Sequence, residues 1–118
     1  VKFLGRVDDL NLFFRKSHVC VVPSLLDAGP ATVAESLSCG TPVICSDGCG
    51  SSTLVRGQFG KVFKSGSEEE LSKALHELSN NYENYNFRMQ DFETMSSRID
   101  ESKFHTAASA YILENAKK

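Results

Sequence analysis

The sequence predicts an α/β fold: a parallel sheet in three layers, with helices on both faces. Three observations carry that expectation. Apolar runs of strand length alternate with segments of helical period, the order that builds parallel sheets. The run Val19-Cys-Val-Val-Pro-Ser24 does not alternate polar with apolar residues, as expected of a parallel strand covered on both faces. A polar turn and a short helix separate it from a second apolar run, Pro42-Val-Ile-Cys45, and a strand–helix–strand connection of this kind is right-handed.

The elements follow in order. Val1-Lys-Phe-Leu-Gly5 reads as a short strand ending at a glycine. Asp8 or Asp9 caps the next helix, with Leu10, Phe13 and Phe14 on one face at helical spacing. His18 to Pro23 is the second strand. Thr32 to Cys39 is a helix that Gly40 stops, and Thr41 to Ser46 is the third strand. Asp47-Gly-Cys-Gly50 is a turn, after which Ser51 or Ser52 caps a short helix through Val55. Gly57-Gln-Phe-Gly60 turns into a brief strand, Lys61-Val-Phe63. Ser67-Glu-Glu-Glu70 reads as a capping box, with Leu71, Ala74, Leu75 and Leu78 on the buried stripe of its helix. Tyr82, Tyr85, Met89 and Phe92 recur at helical spacing. A break near Asp100 precedes a last helix carrying Phe104, Ala107, Ala108, Tyr111 and Ile112 on one stripe. Residues 1–80 thus form the sheet-bearing segment, and 81–118 a C-terminal helical segment of the same domain.

Composition excludes several classes. A chain of 118 residues with 41% apolar residues builds one small domain with its own core. A net charge of −2, with no Lys/Arg cluster, argues against a nucleic-acid binder. No apolar run reaches membrane-span length, and no segment reads as a signal peptide. The four cysteines include no CxxC pair, so they read as reduced thiols in a cytosolic protein rather than a zinc site or a disulfide framework. The chain opens inside an expected strand, which suggests a piece of a larger protein.

The chemistry concentrates in Asp27-Ala-Gly-Pro-Ala-Thr-Val-Ala-Glu35, which places two carboxylates eight positions apart across a strand-to-helix turn. Pro30 suits the first helical turn, where its missing N–H costs nothing. The amides of Gly29, Ala31 and Thr32 then become free donors at a positive helix end, a place for an anion such as a diphosphate. Glu35 leans back toward the helix start and can accept two hydrogen bonds from a vicinal diol such as a ribose. Asp27 can accept bonds from hydroxyls near the phosphate. The same residues also fit a plain structural role: Thr32-Val-Ala-Glu35 reads as a capping box, and Asp27 as a turn residue.

These residues resemble the retaining, nucleotide-sugar-dependent glycosyltransferases of family 4, which have the GT-B fold. Val1–Gly5 resembles their strand-and-glycine element, and Val19–Ser24 the strand that ends in Pro-Ser. Asp27–Glu35 resembles their motif of two acids separated by seven residues, in the variant with proline and threonine between them. Ser36-Leu-Ser-Cys-Gly-Thr-Pro-Val-Ile44 resembles the stretch that follows. Gly48 and Gly50, Gly60-Lys-Val and the helix after Ser67 keep the family's order across roughly the first 80 residues.

The resemblance implies a partial, Rossmann-like GT-B C-terminal domain that lacks its first strands. It implies that Glu35 holds the donor ribose and Asp27 the donor sugar. Gly29, Pro30, Ala31 and Thr32 then surround sugar and phosphate, and Gly5, Arg6 and Val7 border the base. The implied reaction moves a hexose from a nucleoside diphosphate to a sugar, glycan or lipid acceptor with retention at the anomeric carbon. It needs no cofactor beyond the donor and no metal, so Asp8 and Asp9 read as helix caps. The implied setting is carbohydrate or polysaccharide biosynthesis in the cytoplasm, peripheral to the inner membrane face in the full-length protein. Three departures qualify this. Asp27 stands where the family usually carries glutamate, about 1.5 Å nearer the backbone, one C–C bond. The family's basic residues for the leaving diphosphate belong before Val1, and so does the acceptor domain. The expectation is therefore part of a donor site, inactive alone. A non-catalytic GT-B-like partner module is the alternative.

Overall fold

The structure, a computed structural model, describes residues 1–29, 31–87 and 91. In chain order it forms α1 (Leu10–Lys16), β1 (Cys20–Val22), α2 (Ala31–Ser38), β2 (Val43–Ser46), β3 (Gly60–Phe63) and α3 (Glu68–Asn80). Short 3-10 turns occupy Gly50–Leu54, Gly57–Phe59 and Tyr82–Tyr85. The strands are all parallel in the order β1-β2-β3. Val21 lies opposite Ile44, and Ile44 opposite Lys61.

Strand β2 organises the core because it is buried along its whole length. Side chains on a strand point alternately to its two faces. Val43 and Cys45 pack with Val22, Val33 and Leu37 on the α2 side, joined by Leu54, Phe59 and Phe87. Ile44 points the other way, to Phe63, Ala74, Leu78 and Tyr85 on the α3 side. Helix, sheet and helix therefore form three layers, as the sequence predicts. Burying a side chain such as Leu37 or Ile44 contributes about 1.5–3 kcal/mol each. Phe59 and Phe87 meet edge to face with ring centroids 4.8 Å apart, and both pack in the cluster on the α2 side.

Local signals set several boundaries. Asp9 caps α1, its Oδ1 accepting from the Leu12 amide at 3.3 Å. Gly40 follows α2 with φ of +82°, the left-handed stop that glycine adopts freely. Thr41 then ties the chain back to α1, its hydroxyl donating to the Phe14 carbonyl.

Other expectations fail for identifiable reasons. Val1–Gly5 forms no strand and pairs with nothing among the described residues; Phe3 is 95% exposed. A strand exists only through its neighbours, and no described strand lies beside this segment. Only Phe14 of α1 is buried; Leu10 and Phe13 remain exposed because α1 packs on one side alone. Strand β1 is not covered on both faces: Val21 is 38% exposed, on the face opposite Val22. The helix assigned to Ser51–Val55 is a 3-10 turn, Gly50–Leu54, with Cys49 at its start and no side-chain cap. The box at Ser67 is half formed. Ser67 caps the Glu70 amide at 3.2 Å, but the Ser67 amide donates to the Lys64 carbonyl, so Glu70 accepts instead from the Lys64 amide at 2.6 Å. Leu75 lies outside the buried stripe. Tyr82 and Tyr85 sit in a 3-10 turn rather than a longer helix. Met89, Phe92, His105 and the expected last helix lie outside the described residues.

Candidate functional site

Two loops at the carboxyl ends of β1 and β2 run side by side and carry the first acid. Asp27 forms an isolated parallel bridge with Cys49. Its amide donates to the Gly48 carbonyl at 2.9 Å, and its carbonyl accepts from the Gly50 amide at 2.7 Å. The ladder begun by β1 and β2 thus reappears at the residue that bears the carboxylate. Asp27 Oδ1 accepts from the Gly29 amide at 3.2 Å, the short-range turn that aspartate favours. This corrects the expectation that the Gly29 amide is a free donor.

Helix α2 begins at Ala31, so Thr32 is its second residue and cannot be its cap. The capping-box reading of Thr32–Glu35 falls with it. The amides of Ala31 and Thr32 lie in the first turn, where a helix offers them no acceptor of its own. Glu35 lies one turn further on and is exposed. Among the described residues its carboxylate has no hydrogen-bond or ion-pair partner.

Glu35 instead lines an open cleft of about 390 Å³ with Val7, Asp8, Asp9, Leu10 and Asn11. The structure thus brings Val7 and Glu35 together across 28 positions of sequence. Gly5 and Arg6 stand just before the cleft but do not line it. Asp27, Gly29, Ala31 and Thr32 gather at the neighbouring loop and helix start, outside this cleft. Pro30 lies outside the described residues. Sequence reasoning missed Asn11 as a cleft residue; its position on α1, one turn beyond Asp8, is the only signal it leaves.

The charged residues lining the cleft, Asp8, Asp9 and Glu35, are all acidic. Among the described residues no three His, Cys, Asp or Glu side chains are grouped to hold a metal ion. The thiols of Cys45 and Cys20 are poor nucleophiles. Cys45 is fully buried. Desolvation, with the neighbouring Cys49 and then Cys20, pushes its pKa up to about 12. Burial also raises the Cys20 thiol.

Comparison with known families decides the relationship. The model of the family described as glycosyl transferases group 1 matches residues 1–91. The chain belongs to the glycosyl transferases group 1 family. It is also similar to the lipopolysaccharide core biosynthesis mannosyltransferase LpcC of Rhizobium leguminosarum bv. viciae. They are 30% identical over 76 residues, which is 64% of this chain and 22% of that relative's length. No solved structure gives a significant match. Family membership agrees with the fold observed: a parallel, Rossmann-like sheet between helices. No described helix is long and apolar enough to cross a membrane.

Proposed function

We propose that this chain is the donor-binding part of a glycosyltransferase that moves a hexose from a nucleoside-diphosphate sugar to a sugar, glycan or lipid acceptor with retention of configuration. The bond from the anomeric carbon to the diphosphate breaks, a bond to the acceptor oxygen forms, and the acceptor's hydroxyl proton is released. The observation that carries this reading is Glu35, a carboxylate without a described partner in the same cleft as Val7.

In this reading Glu35 accepts from both ribose hydroxyls, and Gly5, Arg6 and Val7 border the base. Ala31 and Thr32 face the sugar and phosphate at the start of α2, and Asp27 and Gly29 complete the sugar contact. A carboxylate is suited to a diol because its two oxygens take two donors at once. A diphosphate beside an acidic cleft needs positive charge from elsewhere, because stabilising the charge that develops on the leaving group usually dominates catalysis of such transfers. The chain alone is therefore inactive, and an upstream acceptor domain supplies the cations. Neither a metal nor a further cofactor is required. The relative's name makes mannose donors the first to test. A non-catalytic, GT-B-like partner role is favoured by one observation: Asp27 already spends a carboxylate oxygen on Gly29.

The test uses the full-length protein with a panel of UDP-, GDP- and ADP-sugars, comparing wild type with Glu35→Ala. Turnover of one donor is expected. Losing two charge-assisted hydrogen bonds should then raise its KM by roughly tenfold or more. Unchanged donor use by Glu35→Ala removes the ribose role, and no turnover of any donor favours the partner role.

A further inference from the structure

We propose that Ser65, working with the glycines at 48 and 50, is a positioning residue that sets how far the Asp27 carboxylate reaches into the donor site. The proposal rests on the reading of Asp27 as a sugar contact.

The loop Ser24–Gly29 is held by its main chain rather than by its side chains. Leu25 and Leu26 are 72% and 78% exposed, so neither anchors it. Its carbonyls and amides are fixed one after another. The Ser46 hydroxyl donates to the Ser24 carbonyl. The Ser65 hydroxyl donates to the Leu25 carbonyl at 2.8 Å. Asp27 pairs with Gly48 and Gly50 on both sides of its peptide.

There is no slack on the β2 side. A Cβ at position 48 would lie 2.1 Å from the Leu25 carbonyl oxygen, and one at position 50 would lie 1.7 Å from that of Ala28. Both partners are backbone, which cannot swing aside as a side chain does. Ser65 comes from a third loop, between β3 and α3, and is itself held by its amide donating to Asp47 Oδ1 at 2.8 Å. The β2 and β3 loops therefore close on the Asp27 loop from two directions. This bears on reach because aspartate is shorter than glutamate by about 1.5 Å. With a short side chain, the backbone must place the carboxylate, and about 1 Å of misplacement can cost on the order of 100-fold in rate.

The test compares Ser65→Ala and Ser65→Thr in the full-length protein. Ser65 is half-buried, and trimming it to alanine removes one hydroxyl without adding bulk, so the fold should survive, whereas Gly50→Ala is expected to disrupt the loop outright. Two readouts are taken. Amide exchange at Asp27, Gly29 and Gly50, with the Gly29 amide shift, reports the loop and the Asp27–Gly29 bond without any donor. Donor KM and kcat report the site. Ser65→Ala should speed exchange at these amides roughly two- to tenfold, the worth of one hydrogen bond. It should also lower donor kcat/KM while the far-UV circular dichroism of the folded protein stays that of wild type, and Ser65→Thr should restore both exchange and kinetics. Unchanged exchange and Gly29 shift overturn the proposal. So does faster exchange with wild-type kinetics. If wild type turns over no nucleoside-diphosphate sugar, the donor-site reading fails with the reach assigned to Asp27, while the exchange arm still decides whether Ser65 holds the loop.

Discussion

Truncating the two acids one at a time should separate the anchored carboxylate from the unanchored one. Asp27 Oδ1 accepts from the part-buried Gly29 amide at 3.2 Å. A hydrogen bond to a charged group is worth about 1.5–3 kcal/mol, and the length of this one places it at the low end, about 1.5 kcal/mol. For a domain of this size, 1 kcal/mol moves the melting temperature by about 4–8 °C, so Asp27→Ala should lower it by roughly 6–12 °C. Glu35 has no described partner and faces an open cleft. Its removal leaves no buried donor unsatisfied, and such a substitution stays within about 0.5 kcal/mol, which is about 2–4 °C. Thermal denaturation of the two variants of this chain, followed by circular dichroism, gives the comparison. Equal drops, or a larger drop for Glu35→Ala, would refute the assignment of Asp27 as the anchored acid and Glu35 as the one left for a ligand.

Two further outcomes are expected. The Cys45 thiol ordinarily titrates near 9.0 and is pushed up to about 12 in the fold. Between those values the unfolded chain gives up its proton and the folded chain keeps it. Stability should therefore be flat with respect to this group below pH 9 and should fall above it, by about 1.4 kcal/mol per pH unit. Chemical denaturation at pH 8 and pH 10 tests the sign, and a thiol reagent at pH 8 should modify half-buried Cys39 long before buried Cys45 or Cys49. Ser67→Ala removes the cap on the Glu70 amide and should cost about 1 kcal/mol. Urea titration reads this, and a change below about 0.3 kcal/mol would show that the cap contributes nothing.

The parts of the fold that were legible in the sequence are those in which one short segment carries its own instructions. Val43–Ser46 is apolar enough to be buried on both faces, and Gly40 marks the end of α2. What was not legible depends on distant partners. Val1–Gly5 has the composition of a strand, but a ladder needs a neighbour. Leu10 and Phe13 have helical spacing, but burial needs a surface to pack on. Glu70 turned from Ser67 to Lys64 because a tight turn had already claimed the Ser67 amide. The site divides in the same way. The acid pair could be named from local pattern, Val7 only from the family resemblance, and the structure sets Val7 and Glu35 in one cleft. The hold of Ser65 on Leu25 spans 40 positions and leaves no periodicity to read. The glycines at 48 and 50 show only as a turn until their contact with Leu25 and Ala28 is seen.

Strand β2 is the common wall of both apolar clusters, with Val43 and Cys45 in one and Ile44 in the other. Opening either cluster bares one face of the strand that completes the other. Residues adjacent in the backbone thus couple two layers that share no helix, and the described interior is expected to be lost in one cooperative step rather than as two independently melting units. The four residues of that strand thereby set the cooperativity of the domain, and a substitution among them is felt on both sides of the sheet.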